Sequence, residues 1–390
     1  MWTHAMSTLR CPRCKGALML RALPHHGAAS PSSPSAATPR VTSEVWIEGG
    51  AILCSACVRV FPIASGVPIL LTYATALSRQ TFNAWPDQFR RELTDAGFAL
   101  PSDTPPKGEE FVAASFSTEW ADYDYGSTLW TAPLKDRVET FRAECGLRDG
   151  DLVGKEFCEI GCGLGILTNE AASGLGATAW GVDLSQAVFR AANQFKNNPH
   201  LHFVQASVFR LPFATDTFDF LYSHGVLHHT WSTHEAVKHA AAVLKRDGTI
   251  YVWLYGHADV RISVVRQIAY ALEEVVRPVI ARMPSPLATA VLLPSIPLYQ
   301  LASAAGQRSG THATRYTAQQ ALHAARDRFT PLYAHRHEVD EVEGWLTEMG
   351  FEAVQRVSGD AAAESWRLAI DRNVAVRATG RHKPVEVGAF

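Results

Sequence analysis

Two sets of residues in this sequence are spaced for chemistry. The first is a pair of CxxC steps, Cys11 and Cys14 in "CPRCKGAL" and Cys54 and Cys57 in "CSACVRVF". Four thiolates brought together make a closed tetrahedral site, which suits a structural zinc ion and leaves no position open for a substrate. The second is "FCEIGCGLGILT", residues 157–168, in which Gly161, Gly163 and Gly165 alternate behind Glu159. A glycine loop that opens a helix turns backbone N–H groups toward an anionic ligand group, so this stretch reads as a nucleotide-type site.

The neighbours of the loop narrow the ligand. A dinucleotide loop calls for a third glycine at position 166, and that position is Ile166. Glu159 would repel a pyrophosphate but attract an ammonium group. A ligand with an amino group and a carboxylate beside a nucleoside satisfies both features, and S-adenosylmethionine (SAM) is such a ligand. Asp183 lies 24 residues beyond Glu159, at the end of the next expected strand, where a carboxylate can accept from both ribose hydroxyls.

The elements that must position these groups follow from periodicity. "EFCEI", "ATAWGVD", "LHFVQA", "FDFLYS" and "TIYVWLY" are short apolar runs. They alternate with the helical stretches "LTNEAASGL", "SQAVFRAANQF" and "HEAVKHAAAVLKR". Such alternation predicts an α/β fold, a parallel sheet with helices on both faces. A chain of 390 residues exceeds one ordinary core. The divisions expected are a zinc-ribbon module at 1–72, a linker and aromatic-rich lid segment at 73–132, and a SAM-binding core at 133–256. A helical cap insertion at 257–325 follows, and then the C-terminal helix and last strands at 326–390. Residues 283–307 carry no charge but include Pro284, Pro286, Pro294 and Pro297, which argues for a cap and against a continuous transmembrane helix.

The stretch "EIGCGLG…GVDLS…QASVFRLPFATDTFDFLYSHGVLHHT…VLKRDGTIYVWLYG" resembles the class I SAM-dependent methyltransferases, in particular those of the ubiquinone and menaquinone pathways. The resemblance implies a Rossmann-like sheet of seven strands, one of them antiparallel. It puts Gly161, Cys162, Gly163 and Gly165 beside the methionine part of SAM, with Glu159 supporting the loop. Asp183 and Leu184 fall at the ribose, and Ser207 and Val208 at the adenine. One departure stands out: the family usually has an acid at position 207, accepting from the adenine amino group, and this chain has serine. The N-terminal segment resembles the small zinc-ribbon activator subunit of tRNA and protein methyltransferases.

"SHGVLHHTWSTH" supplies His224, His228 and His229 as candidate catalytic residues. Three roles stay open for them: framing the methyl donor, general base catalysis with His224 foremost, and metal binding. The expected activity is methyl transfer from SAM to a small, fairly hydrophobic acceptor. A tRNA or rRNA methyltransferase that docks through its ribbon competes with it, as does a non-catalytic SAM-binding partner subunit. Lys+Arg 36 against Asp+Glu 38 gives no overall basic excess, which argues against nucleic acid. The uncharged part of the cap leaves peripheral membrane contact or a dimer face as further readings. The N-terminus lacks an apolar h-region, and paired CxxC steps without a secretory signal point to metal binding in a reducing cytoplasm.

Overall fold

The computed structural model describes all residues except 24–44, 123–127, 130–131, 262, 309–314, 382–384, 386 and 388–390. The Pro-, Ser- and Ala-rich spacer expected as a surface loop lies outside the described residues, as do Tyr123, Tyr125 and Trp130 of the aromatic run. A four-stranded antiparallel sheet forms the N-terminal ribbon, in the order β1 (Met19–Ala22), β2 (Gly50–Cys54), β3 (Arg59–Ala64) and β4 (Val67–Pro68). Two short helices, α1 (Ala76–Asn83) and α2 (Asp87–Asp95), lead to α3 (Glu109–Asp122), in the segment expected as a lid. A two-residue hairpin, β5 (Thr128–Leu129) and β6 (Ala132–Pro133), precedes α4 (Leu134–Cys145).

The main sheet has seven strands. Parallel strands buried on both faces read as continuous apolar runs, and β7 (Glu156–Ile160), β8 (Thr178–Asp183) and β9 (Leu201–Gln205) are such runs. After β9 the chain returns across the sheet to β10 (Phe218–His224) and β11 (Leu244–Leu254). The last strands are β12 (Phe351–Arg356) and β13 (Val374–Arg381), giving the order β12-β13-β11-β10-β7-β8-β9. β13 runs antiparallel to both its neighbours, and the other pairings are parallel. The order reverses between β7 and β10, and a crevice opens at the strand ends where an order reverses. Glu159, Asp183 and His224 all stand at that end.

The helices depart from the sequence expectation in two places: the helix expected over "HEAVKHAAAVLKR" stops at Ala241, and its residues 244–246 open β11. "LTNEAASGL" is not one regular helix: α5 (Ile166–Asn169) lasts one turn and continues as a π-helical turn, Glu170–Gly174. Further along come α6 (Ala187–Phe195) and α7 (Thr233–Ala241). The insertion comprises α8 (His257–Arg261), α9 (Val264–Ile280), α10 (Ser285–Leu292), α11 (Ile296–Arg308) and α12 (Ala318–Phe329). Its last helix ends at Phe329. α13 (Val339–Glu348) and α14 (Glu364–Asp371) complete the fold. The lid meets the insertion through Ser115 and Thr330, whose hydroxyls lie 2.7 Å apart, and through Thr118, which donates to Ser285 at 3.0 Å.

The ribbon is not a separate bead. Leu9, Ile52, Phe61, Ile63 and Leu70 share one apolar cluster with Trp180, Val204, Phe209 and Phe213 of the main domain. Backbone bonds tie the same seam: Arg10 N–H donates to the Pro212 carbonyl at 2.8 Å, and Leu70 N–H to the Gln205 carbonyl at 2.9 Å. Leu70→Ala opens a cavity in this fully buried seam and is expected to cost about 3 kcal/mol. Because the core is shared, thermal unfolding followed by circular dichroism should move as one transition; two separated transitions would show that the ribbon is energetically independent.

Candidate active site

The glycine loop is held against β8 by its own backbone. Gly161 and Cys162 N–H groups donate to the Val182 carbonyl at 2.7 and 3.1 Å, and Gly163 N–H donates to Asp183 Oδ2 at 2.7 Å. Asp183 Oδ1 accepts from the Ser185 amide at 2.7 Å. The glycines serve different purposes. A Cβ on Gly161 would fall 2.2 Å from Val226, and one on Gly165 would fall 2.6 Å from the Phe203 ring. Gly165 therefore packs the helix start onto the sheet and does not border the cavity. Gly163, at φ +51, borders the cavity with Trp120 across from it.

A cavity of about 490 Å³ lies over the loop. Of the residues expected to hold the cofactor, Glu159, Gly161, Cys162, Gly163, Asp183, Leu184 and Val208 line it. Glu159 is buried, accepts a hydrogen bond from the Thr168 hydroxyl, and is pushed up to about 8 by that burial. Burial also raises Asp183, against the hydrogen bonds from Ser185 and Gly163. A ligand that brings an ammonium and hydroxyl donors fits these buried acceptors.

Two wall residues were missed in the sequence. Arg137 of α4 is buried, bonds Tyr222 and lies 3.4 Å from Glu144. It is the cation on the wall nearest the loop's acids, suited to a carboxylate. An arginine on the inward side of the helix before β7 was a usable signal. The other is Glu109, the first residue of α3. Its Oε2 accepts from the Ser207 hydroxyl at 2.5 Å and its Oε1 from the Tyr73 hydroxyl at 2.8 Å. Ser207 itself caps the turn Val208–Arg210 and does not border the cavity, whereas Glu109 does.

The histidines separate by environment. His224 stacks on Trp253 with ring centroids 4.4 Å apart, and its Nδ1 lies 3.4 Å from Glu144 Oε1. Burial and the Arg137 charge lower it to about 4. His229 Nδ1 lies 2.7 Å from the Tyr333 carbonyl, so Nδ1 carries the proton and Nε2 presents a lone pair. Burial lowers it to about 3, and the ring borders the cavity. His228 is fully buried behind it, packed on Tyr255 at 3.9 Å, and does not border the cavity. The far wall comes from the insertion and its exit: Glu273, Tyr299, Tyr316, Asp327, Arg328 and Tyr333, with Tyr255 from the end of β11. Among the described residues, the one group of side chains that could hold a metal is Cys11, Cys14, Cys54 and Cys57, with ligand atoms within 4.8 Å of one another. That compactness fits a four-thiolate zinc site of structural type, and no histidine joins it.

The seven-stranded sheet with this loop at its switch point defines a class I SAM-dependent methyltransferase domain. Residues 158–252 match the family model of the methyltransferase domain, and residues 6–66 match that of Trm112p-like proteins. The ubiquinone biosynthesis O-methyltransferase of Glaesserella parasuis is 31% identical over 108 residues, covering 26% of this chain and 45% of that protein. The chain thus spans under half the length of that curated relative. Among solved structures, a complex of the Haloferax volcanii Trm112 methyltransferase activator with a methyltransferase is 14% identical. It covers 70% of this chain and 98% of that one, with a TM-score of 0.41. Haemonchus contortus phosphoethanolamine N-methyltransferase 2 is 13% identical over 73% of this chain and 62% of that one, with a TM-score of 0.41.

With its carboxyl raised to about 8, Glu159 is mostly protonated at pH 7 in the free chain. An ammonium beside it favours the carboxylate, so binding must expel a proton. Calorimetry with SAM at pH 7, in buffers of different ionisation enthalpy, should show proton release that shrinks as pH rises past about 8. Heats independent of the buffer would mean that Glu159 does not meet the ammonium.

Proposed function

We propose that this chain transfers a methyl group from SAM to a small, largely apolar acceptor. The observation that carries this reading is the continuity of one cavity from the glycine loop to the insertion. Its loop end offers Glu159, Asp183 and the backbone of Gly163, and its far end is walled by Tyr255, Tyr299, Tyr316 and Tyr333 together with Glu273, Asp327 and Arg328. SAM, when bound, supplies a methyl group on a sulfonium. Glu159 and Arg137 take the amino and carboxylate ends of its methionine part, and Asp183 takes the ribose hydroxyls. Displacement of this kind needs alignment more than activation, and the enclosed walls provide it. His229 Nε2, fixed as an acceptor by the bond at Nδ1 and kept neutral by burial, accepts a hydrogen bond from the O–H or N–H of the acceptor and aligns it on the methyl. The proton passes to solvent as the bond to the methyl forms.

The purified chain, given methyl-labelled SAM with separated lipid, aqueous and RNA extracts, is expected to label an organic-soluble small product. Asp183→Ala should abolish that labelling, and His229→Gln should slow it about a hundredfold with S-adenosylhomocysteine affinity unchanged. Label confined to RNA would replace this reading with the nucleic-acid one, in which the ribbon docks the substrate.

The insertion supports a lipid-side source for the acceptor. α9 is inside out: Val264, Ile268, Leu272, Val275 and Val279 face solvent, while Glu273 and Arg277 are buried. α10 and α11 add Leu287, Val291, Leu298 and Leu301 to the exposed apolar surface. The run Ser285–Arg308 is long and apolar enough to cross a membrane by length and composition, and only 17% of its most apolar window is buried. Residues 275–326 contain no acid, and Arg282, Arg308 and Arg315 are exposed. An apolar face rimmed by arginine matches an anionic bilayer surface. The chain should therefore sediment with vesicles of phosphatidylglycerol and phosphatidylcholine, more weakly with phosphatidylcholine alone, and Leu272→Glu/Leu298→Glu should remain in the supernatant. A dimer in light scattering, broken by the same substitutions and indifferent to vesicles, would assign the face to a second copy.

A further inference from the structure

The family's adenine-reading acid is missing at position 207, and the structure puts another carboxylate beside the gap. Glu109 reaches Ser207 from the lid helix, 98 residues away in sequence. Its side chain is buried and its residue borders the cavity, next to Val112, Ala113, Leu184, Val208 and Phe209. These are apolar walls of the kind a planar base packs between. Each carboxylate oxygen already accepts one hydroxyl, Ser207 on one side and Tyr73 on the other, and each retains a lone pair for a second donor.

We infer that Glu109 reads the adenine amino group of the cofactor in place of the absent acid at 207. Ser207 has changed role: it no longer accepts from the ligand but donates to the group that does. Tyr73 fixes the other oxygen and comes from the segment that leaves the ribbon. That segment pairs with the end of β9 through Ile69 opposite Gln205. The adenine subsite is thus assembled from three parts of the chain: β9, the lid and the ribbon's exit. Burial pushes the Glu109 carboxyl up to about 7, so an amino donor at this point favours its ionised form. The inference rests on SAM being the cofactor, and the experiment separates the two claims.

Calorimetry compares S-adenosylhomocysteine with S-inosylhomocysteine, whose ring carries an oxygen where adenine carries the amino group. The unsubstituted chain should bind the adenosyl ligand about tenfold or more tighter, as expected for one charge-assisted hydrogen bond. Glu109→Ala should weaken the adenosyl ligand by that factor, leave the inosyl ligand unchanged, and so erase the preference. Tyr73→Phe should reduce the preference without altering inosyl affinity. Glu109→Ala/Ser207→Asp should restore it, because it returns an acid to the family's position; rescue of this kind also excludes a folding defect. If Glu109→Ala keeps the preference, or loses both ligands equally without rescue, Glu109 only anchors the lid and the inference fails. If the unsubstituted chain binds neither ligand, the cofactor reading itself falls.

Discussion

The contact on which the site depends is the seam where the ribbon's exit segment lies along the edge of the main sheet. β9 is an edge strand, and an edge leaves backbone groups in need of a partner. Here Leu70 N–H donates to the Gln205 carbonyl and the Leu70 side chain joins the cluster behind β8 and β9, while Ile69, Leu71 and Tyr73 pack with Leu184 and Phe189 in another. The seam ends where the cavity begins. Tyr73 of the exit segment and Ser207, just past β9, lie at the same end of it, and both hydroxyls converge on Glu109. The segment leaving a small zinc-type module thereby braces Glu109, a residue of the cavity wall, from behind.

The site is built on buried acids, which is costly unless something compensates. Glu159 and Glu109 are both raised, by burial first, to about 8 and about 7. Asp183 is raised in the same direction, although amides hold both its oxygens. Hydrogen bonds from Thr168, Ser207 and Tyr73 offset part of that cost in the free chain. A ligand that is cationic at one end and rich in N–H and O–H donors along its length completes the compensation. Arg137 adds an opposite charge beside Glu159 and is itself held by Glu144 and Tyr222. The wall therefore selects for charge distribution as well as for shape.

What was legible in the sequence is what depends on neighbouring residues. Apolar runs gave the strands because parallel strands are buried on both faces, and the loop gave its ligand class because Glu159, Ile166 and Asp183 constrain it locally. What depends on long-range contact was not legible. Glu109 meets Ser207 across 98 residues, so the missing acid could be noticed but not its replacement. His228 and His229 are adjacent and chemically identical in sequence. Only the Tyr333 carbonyl, brought from 104 residues away, distinguishes the ring on the cavity wall from the one packed behind it. The helical reading of "LTNEAASGL" was sound in outline but could not foresee the π-helical turn that ends α5 after a single turn.

The insertion inverts the rule that governs the rest of the chain. A surface helix ordinarily buries its apolar stripe, yet α9 buries Glu273 and Arg277 and turns its valines and leucines outward. The inward pair is not idle: Glu273 bonds Arg277 and Arg328, and the first and last of these border the cavity. A helix can hold ionic groups on its inner side only where a polar lining is wanted, and it can hold an apolar outer side only where water is excluded by something else. Both conditions are met in the arrangement proposed above, a cap that walls the cavity on one face and rests on an anionic bilayer with the other.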